Sequence, residues 1–447
     1  MTAGYWLSPW PGEDGGPRRS AAPAPGTPGL SIGPGERLEV TSRDAFATTM
    51  VVLREPGEVF ALRHGLGGLD APATGWVERI DPVTLEALER SAELPAGPLW
   101  PGGLAAHANG SLYTVFGRWA HRLAPDCSIL ARRELPRPRP YNSFVVLADG
   151  TLATKDFDHG VTHPATLSLL DPDTLEPRCA DVELPEPVIA RLSADGNTLY
   201  VIGVTTAYRY MWDPDAATLT RDTSWSLRYI RPGQSYGWDP VVEGGDVWWL
   251  DNGEHTYTTS MLAAGVAPGP VHLVRASLAA AADHELVEVC GAPGGAVTDP
   301  PLVDPERGIV LGYDSANAVL CAFRIGALDS PLWSRRLATA AHMIRYPDTG
   351  EVVVHDFHDW TPVMRRPALR RLARRGARLV QSPRFRAAVS RRAHDDVVVL
   401  DIETGEERAR APVPSVFQSV QFPAAGWDRD LYWCTFSTLA RVAVVCA

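Results

Sequence analysis

Lysine is almost missing from this sequence. Lys155 is the only one in 447 residues, and every other strongly basic residue is arginine. Coding composition alone can produce that bias, but a lone lysine also offers what arginine cannot, namely loss of its proton or Schiff-base formation. No run of about 18 apolar residues is present, so no transmembrane helix is expected. The segment MTAGYWLSPWPGEDGG has no basic stretch followed by an apolar one; it does not read as a signal peptide, and a cytoplasmic location is the default expectation. The six cysteines (Cys127, Cys179, Cys290, Cys321, Cys434, Cys446) lie far apart with no CxxC pair, which points to reduced thiols rather than a disulfide framework. A net charge of -11 excludes general nucleic-acid binding, which needs a basic face. Neither a GxGxxG nor a GxxxxGK[ST] phosphate cradle occurs, and Gly233-Gln234-Ser235-Tyr236-Gly237 sets its serine in a loop rather than on a strand-to-helix elbow.

What the chain does have is a repeat. In Tyr141–Leu170 an apolar run (Phe144–Leu147) meets the Asp149-Gly150 turn, a second run (Leu152–Thr154) follows, then a polar corner, then a third run (Thr166–Leu170) ending at Asp171-Pro172. Asp-Gly suits a tight hairpin, so the stretch reads as an antiparallel meander. Turns of the same kind recur at Asp81-Pro82, Pro125-Asp126, Asp171-Pro172 and Asp213-Pro214, at Asp spacings of 45, 45 and 42. Eight hairpin signals can be placed, from Glu55-Pro56-Gly57 to Asp428-Arg429-Asp430. Four-strand units repeating every 40 to 50 residues predict an all-β fold, an eight-bladed β-propeller, with seven blades if one hairpin is irregular. The last unit supplies three strands (417–422, 431–436, 439–445), and the strand-like Arg37–Thr41 is expected to complete it and close the ring. Residues 1–30, rich in Pro, Gly and Ala, form an irregular or wrapping arm, and 31–447 the propeller.

Ala318–Phe323 leading to Pro331-Leu332-Trp333, and Val397–Glu407, resemble the quinoprotein and YVTN-type repeats of the β-propeller superfamily. The resemblance covers most of the chain and implies the fold; enzymes, cofactor binders and scaffolds share this repeat grammar.

In a blade the first strand starts and the second ends on one face of the disc, opposite the hairpin tips. Sorting the sequence this way places Trp100, Tyr141, Asn142, Tyr236, Trp238, Asp239, Asp299 and His342 at first-strand starts, and Arg63, Lys155, Asp156, His355 and Asp356 at second-strand ends. Turn capping is a sufficient reason for any single Asp. The concentration of His, Asp, Lys and Tyr on one rim points to a site. The corner Lys155-Asp156-Phe157-Asp158-His159 has the form of His355-Asp356-Phe357-His358-Asp359, and alternation lets only part of each face the channel.

The first reading is therefore a small-molecule enzyme of lyase, isomerase or cyclase type. Lys155, Asp156, His355, Asp356 and His342 would be its acid–base groups, and Tyr141, Asn142, Tyr236, Trp238, Asp239, Asp299, Trp100 and Arg63 would line the substrate. A metal-dependent oxygenase or hydrolase is a rival. His159, His255, His342 and His355 could reach one axis, and His355-Asp356-Phe357 resembles a motif of the carotenoid-cleaving oxygenases, although the other histidine contexts do not match. No cofactor is firmly implied; a divalent metal is compatible, held by those histidines or by Asn142, Asp239 and Asp299. The third reading is a non-catalytic interaction scaffold.

Residues 360–394, inserted in the seventh blade, carry eleven arginines and no acid, leaving the rest of the chain with 31 basic and 53 acidic residues. Pro367–Leu379 and Pro383–Arg392 read as helices. A lid over the channel, a contact for an acidic partner, a membrane-surface helix and a solvated helix on the protein's own acidic surface all fit that composition.

Overall fold

A computed structural model describes residues 4–65, 73–97, 102–158, 160–252, 268–357, 379, 382–389, 394–415, 422–435 and 437–446, with the side chains of Asn142, Phe357 and Val389 left aside. The strands form eight antiparallel sheets in sequence order, seven of four strands and one with an additional strand, Leu94–Gly97, beside Ala73–Ile80. The first strands of the blades are Thr48–Leu53, Gly103–Ala106, Tyr141–Val146, Ser193–Asp195, Val241–Glu243, Leu302–Asp304, Ile344–Tyr346 and Ala424–Ala425. Neighbouring first strands touch at six of the eight junctions around the ring, and a parallel bridge between Met50 and Phe422 joins blade 1 to blade 8. The molecule is an eight-bladed β-propeller.

The closing strand is longer than its sequence signal. Glu36–Asp44 pairs along its whole length with Thr438–Cys446, so the outermost strand of blade 8 comes from the other end of the sequence. The innermost strand of that blade lies at Ala424–Ala425; the expected strand 417–422 falls, except for Phe422, outside the described residues. Second strands are buried along nearly all their length, as in Leu152–Asp156 and Ile309–Asp314, because they pack on the neighbouring blades from both faces. Outer strands alternate half-buried with exposed, as in Ile129–Glu134.

The recurrent Asp-Pro signal is a turn between third and fourth strands. Asp81 Oδ1 accepts the N–H groups of Val83 and Thr84, and Asp171 Oδ1 those of Asp173 and Thr174. Asp401 repeats this with Glu403 and Thr404. Four residues after the Asp the backbone turns left-handed, at Leu85 (φ 64°), Leu175 (φ 62°) and Gly405 (φ 71°). Both leucines are wholly buried, so packing holds a conformation that only glycine adopts without cost.

Residues 4–30 run under the hairpin-side face and into the channel. Each innermost strand turns an unpaired edge toward the axis, and such edges need partners. Carbonyls of the arm supply them: Trp10 to Leu53 N–H, Pro11 to Ala106, Pro17 to Ala194, Arg18 to Val242 and Ala21 to Arg345. The arm has almost no regular structure, only a 3-10 turn at Glu13–Gly15, and Trp10 anchors it with 1% exposure. The insertion in blade 7 leaves after Phe357 and returns at His394. Its helix Pro383–Val389 docks on blade 8 through a double ion pair from Arg386 to Asp44. The helix expected at 367–379 lies, apart from Leu379, outside the described residues. Among the described residues no helix is long and apolar enough to cross a membrane.

Candidate functional site

Counting back four residues from the start of each hairpin gives one level around the axis. Blades 3, 4, 5, 7 and 8 place Ser143, Arg191, Asp239, His342 and Phe422 there, and blade 6 contributes Asp299, one residue earlier. All are buried, with exposures from 0% to 6%. They form a belt, and the arm's acidic turn sits inside it. Glu13 Oε1 receives Arg19 Nη1 and Arg191 Nη1, each at 2.6 Å, and Oε2 receives Ser143 Oγ at 2.9 Å. Asp14 Oδ1 lies 2.6 Å from His342 Nδ1, and Oδ2 lies 2.7 Å from Arg19 Nη1. His342 Nε2 faces Asp299 Oδ1 at 3.3 Å, and Arg19 lies 4.0 Å from Asp239. The Phe422 ring is flanked by two cationic groups, the His342 ring at 4.4 Å and the Arg191 guanidinium at 4.5 Å.

One step outward, in the second strand, the same register holds Lys155 in blade 3 and His355 in blade 7. Lys155 is 1% exposed and donates from Nζ to the Val188 carbonyl at 3.1 Å, beside the Phe157 ring. Burial lowers its pKa to about 7; Asp156 and Asp239 oppose that shift, while Arg191 and Arg19 reinforce it. His342 moves the other way. Burial would lower it, but the carboxylates of Asp14 and Asp299 outweigh burial and raise it to about 10. Burial raises Asp239 despite Arg19 and Arg191. Burial also opposes ionisation of Glu13 and Asp14, but Arg19 and Arg191 hold the first, and His342 and Arg19 the second, below the usual carboxylate range.

Of the residues singled out from sequence, Lys155, His342, Asp239 and Asp299 thus converge on the belt. His355 shares the register of Lys155, yet its ring packs on Trp433 of the next blade at 5.6 Å, and its Nε2 lies 3.4 Å from Asp395. Alternation turns Asp156 and Asp356 to the other side of their strands. Asp156 accepts Thr166 N–H at 2.7 Å and pairs with Arg139; Asp356 accepts Ala338 N–H and pairs with Arg410. Both tie backbone and an arginine. Tyr141 packs between blades 2 and 3, its hydroxyl accepting Arg137 N–H. Tyr236 and Trp238 meet edge-to-face at 5.7 Å within the core, and Arg63 pairs with Glu78 in blade 1. Trp100, His159 and His255 lie outside the described residues, as does the side chain of Asn142. Among the described residues no cluster of three or more His, Cys, Asp or Glu is arranged to hold a metal; of the four histidines, His342 and His355 are described, and the His355 ring lies beside Trp433 of blade 8.

Sequence sorting missed Glu13, Asp14, Arg19, Ser143 and Arg191. Alignment on the hairpins would have found Arg191 and Ser143, since they stand level with Asp239 and His342. The arm residues carry no periodic signal; a Glu-Asp pair and an arginine inside a Pro/Gly-rich stretch were the only trace.

From the hairpin side the arm closes the channel. Two surface cavities, of about 440 and 250 Å³, lie at that rim, by Arg429 and Arg441 and by Leu7 and Trp427, away from the belt. On the opposite side the strand ends at Asn252, Phe357, Ser415 and Phe422 lead directly into residues outside the described set.

No protein-family model matches the chain, and neither does the sequence of any curated protein. Solved structures do match in fold. A quinohemoprotein alcohol dehydrogenase from Pseudomonas putida HK5 superposes with a TM-score of 0.60 at 9% identity, over 98% of this chain and 80% of that one. A europium-containing methanol dehydrogenase gives 0.54 at 9%, over 89% and 84%. BamB from Moraxella catarrhalis gives 0.51 at 11%, over 91% and 98%. At such identities the likeness is one of fold alone, the β-propeller, and a shared fold does not carry a shared function.

Proposed function

We propose that the chain is a small-molecule enzyme working by acid–base chemistry, of lyase, isomerase or cyclase type, on a floor made by the belt and the arm. One arrangement carries the reading: Lys155 and His342 are both buried at the level of the belt, around Asp239, and their surroundings displace them in opposite directions. Lys155 is brought down to about 7 and His342 up to about 10, so at neutral pH the lysine can take a proton and the imidazolium can give one. Environments that push two groups' pKa values apart in this way divide the roles of base and acid. Asp239 lies within electrostatic reach of both and would orient a substrate between them.

The test is a metabolite screen by thermal shift on the wild-type protein, followed by turnover assays on each hit. Lys155→Met is expected to keep the fold and lose turnover by about 100-fold or more. kcat/KM should rise as Lys155 deprotonates near pH 7 and fall as His342 does near pH 10. Full turnover by Lys155→Met would refute the assignment. The arm-filled channel favours a second reading, a non-catalytic interaction scaffold. Under it, partners would be captured by the intact protein and by Lys155→Met alike, and no small molecule would be turned over.

A further inference from the structure

The acidic turn of the arm is held as a ligand is held. Its two neighbouring carboxylates meet Arg19, Arg191, Ser143 and His342 at 2.6 to 2.9 Å, all with less than a tenth of their surface exposed. Local backbone preference does not place them there. Asp14 (φ 52°), Arg19 (φ 54°) and Ala21 (φ 52°) all stand in the left-handed region, where a non-glycine residue is strained. Recognition of the carboxylates, together with the arm's backbone bonds to the blades, overcomes that strain. Without the two carboxylates, three cationic groups (Arg19, Arg191 and His342) would be left around the axis with two acids, Asp239 at 4.0 Å from Arg19 and Asp299 at 3.3 Å from His342, and Arg191 would lose its 2.6 Å contact with Glu13. The belt side of the contact matches its occupant, with Arg191 and Ser143 on one carboxylate and His342 on the other, while Arg19, from the arm itself, bridges both.

We propose that the belt is a binding site for a compact dicarboxylate, and that the Glu13–Asp14 turn is its resident occupant. The inference concerns binding alone and stands whether or not the belt catalyses a reaction.

It is tested by chemical rescue in the full chain. Glu13→Ala/Asp14→Ala removes both carboxylates and leaves the arm's backbone in place. The variant is expected to melt below wild type, and malonate or succinate to restore most of the lost Tm in a saturable way. Each should act at about one tenth of the concentration of acetate, because two linked carboxylates bind as one ligand. Adding Arg191→Met to the double variant should abolish the rescue, and wild type, with its turn in place, should not respond. Equal effects of malonate and acetate at matched ionic strength, or an equal response of wild type, would overturn the proposal. Should the double variant fail to fold, Glu13→Ala alone is titrated with acetate and formate; absence of saturable rescue there overturns it as well.

Discussion

Asp14→Asn is the sharpest probe of the belt, because one atom changes and the consequence depends on pH in a direction that can be worked out. Asp14 bridges His342 and Arg19, all three with exposures of 3% or less. Removing one partner of a buried ion pair costs about 3–5 kcal/mol. The His342 part of that cost varies with pH. Its folded-state pKa is raised from 6.5 to about 10, so the stability it confers is complete below 6.5 and disappears as pH rises through 10. At about 1.36 kcal/mol per pKa unit, the shift corresponds to about 5 kcal/mol at pH 6, about 3 at pH 7.5 and about 1 at pH 9. Asp14 supplies the larger share of this and Asp299 the rest, while the Arg19 contact is insensitive over the range. Urea unfolding of wild type and Asp14→Asn at these three pH values should therefore show a penalty of about 3–5 kcal/mol at pH 6 that shrinks by about 2 kcal/mol at pH 9. A penalty below about 1 kcal/mol, the range of exposed pairs, would mean that the arm does not sit in the channel as described. A penalty independent of pH would mean that His342 is not held as an imidazolium.

His121 should give the opposite pH dependence. It is wholly buried between Phe116 and Trp119, neither ring nitrogen is hydrogen-bonded among the described residues, and burial, with a smaller contribution from Arg132, lowers its pKa to about 4. Its neutral form is compatible with the fold above pH 6.5 and the cost grows as pH falls, to about 2 kcal/mol at pH 5; His121→Phe should recover that amount in urea unfolding at pH 5 relative to pH 8. Asp156→Asn and Asp356→Asn change equivalent positions with unequal burial. The first, 0% exposed and paired with Arg139, should cost about 1.5–3 kcal/mol, and the second, a 28%-exposed partner of Arg410, under about 1 kcal/mol, by chemical denaturation at pH 7. Equal losses would show that the two corners are not distinguished by burial.

The blades were legible because hairpin turns and alternation are local: Asp149-Gly150 and the Asp-Pro turns mark their own positions whatever surrounds them. Ring closure by a strand near residue 40 was legible as a deficit, one strand short at the end of the chain and one unassigned at its start. The belt was half legible. His342, Asp239, Asp299 and Lys155 announce themselves by charge in an apolar context, and the ring geometry brings them together. His355 and Asp356 show the same chemistry in the same sequence frame, but the His355 ring lies against Trp433 of blade 8 and strand alternation turns Asp356 to the other side, toward Arg410. The arm was illegible in its main point. Glu13, Asp14 and Arg19 take their meaning from residues 124 to 328 positions away, and an irregular segment has no period to betray which side chains turn inward.

The clasp in blade 8 governs when the molecule can be finished. Arg37 bonds Cys446, 409 positions away, and no ring exists until both have left the ribosome. At about 5–20 residues per second that interval is about 20–80 s, during which the earlier blades stand as an open arc with unsealed flanks. Closure of the ring then waits on synthesis and not on diffusion, and until Cys446 emerges the flanks of the open arc have no neighbouring blade to cover them.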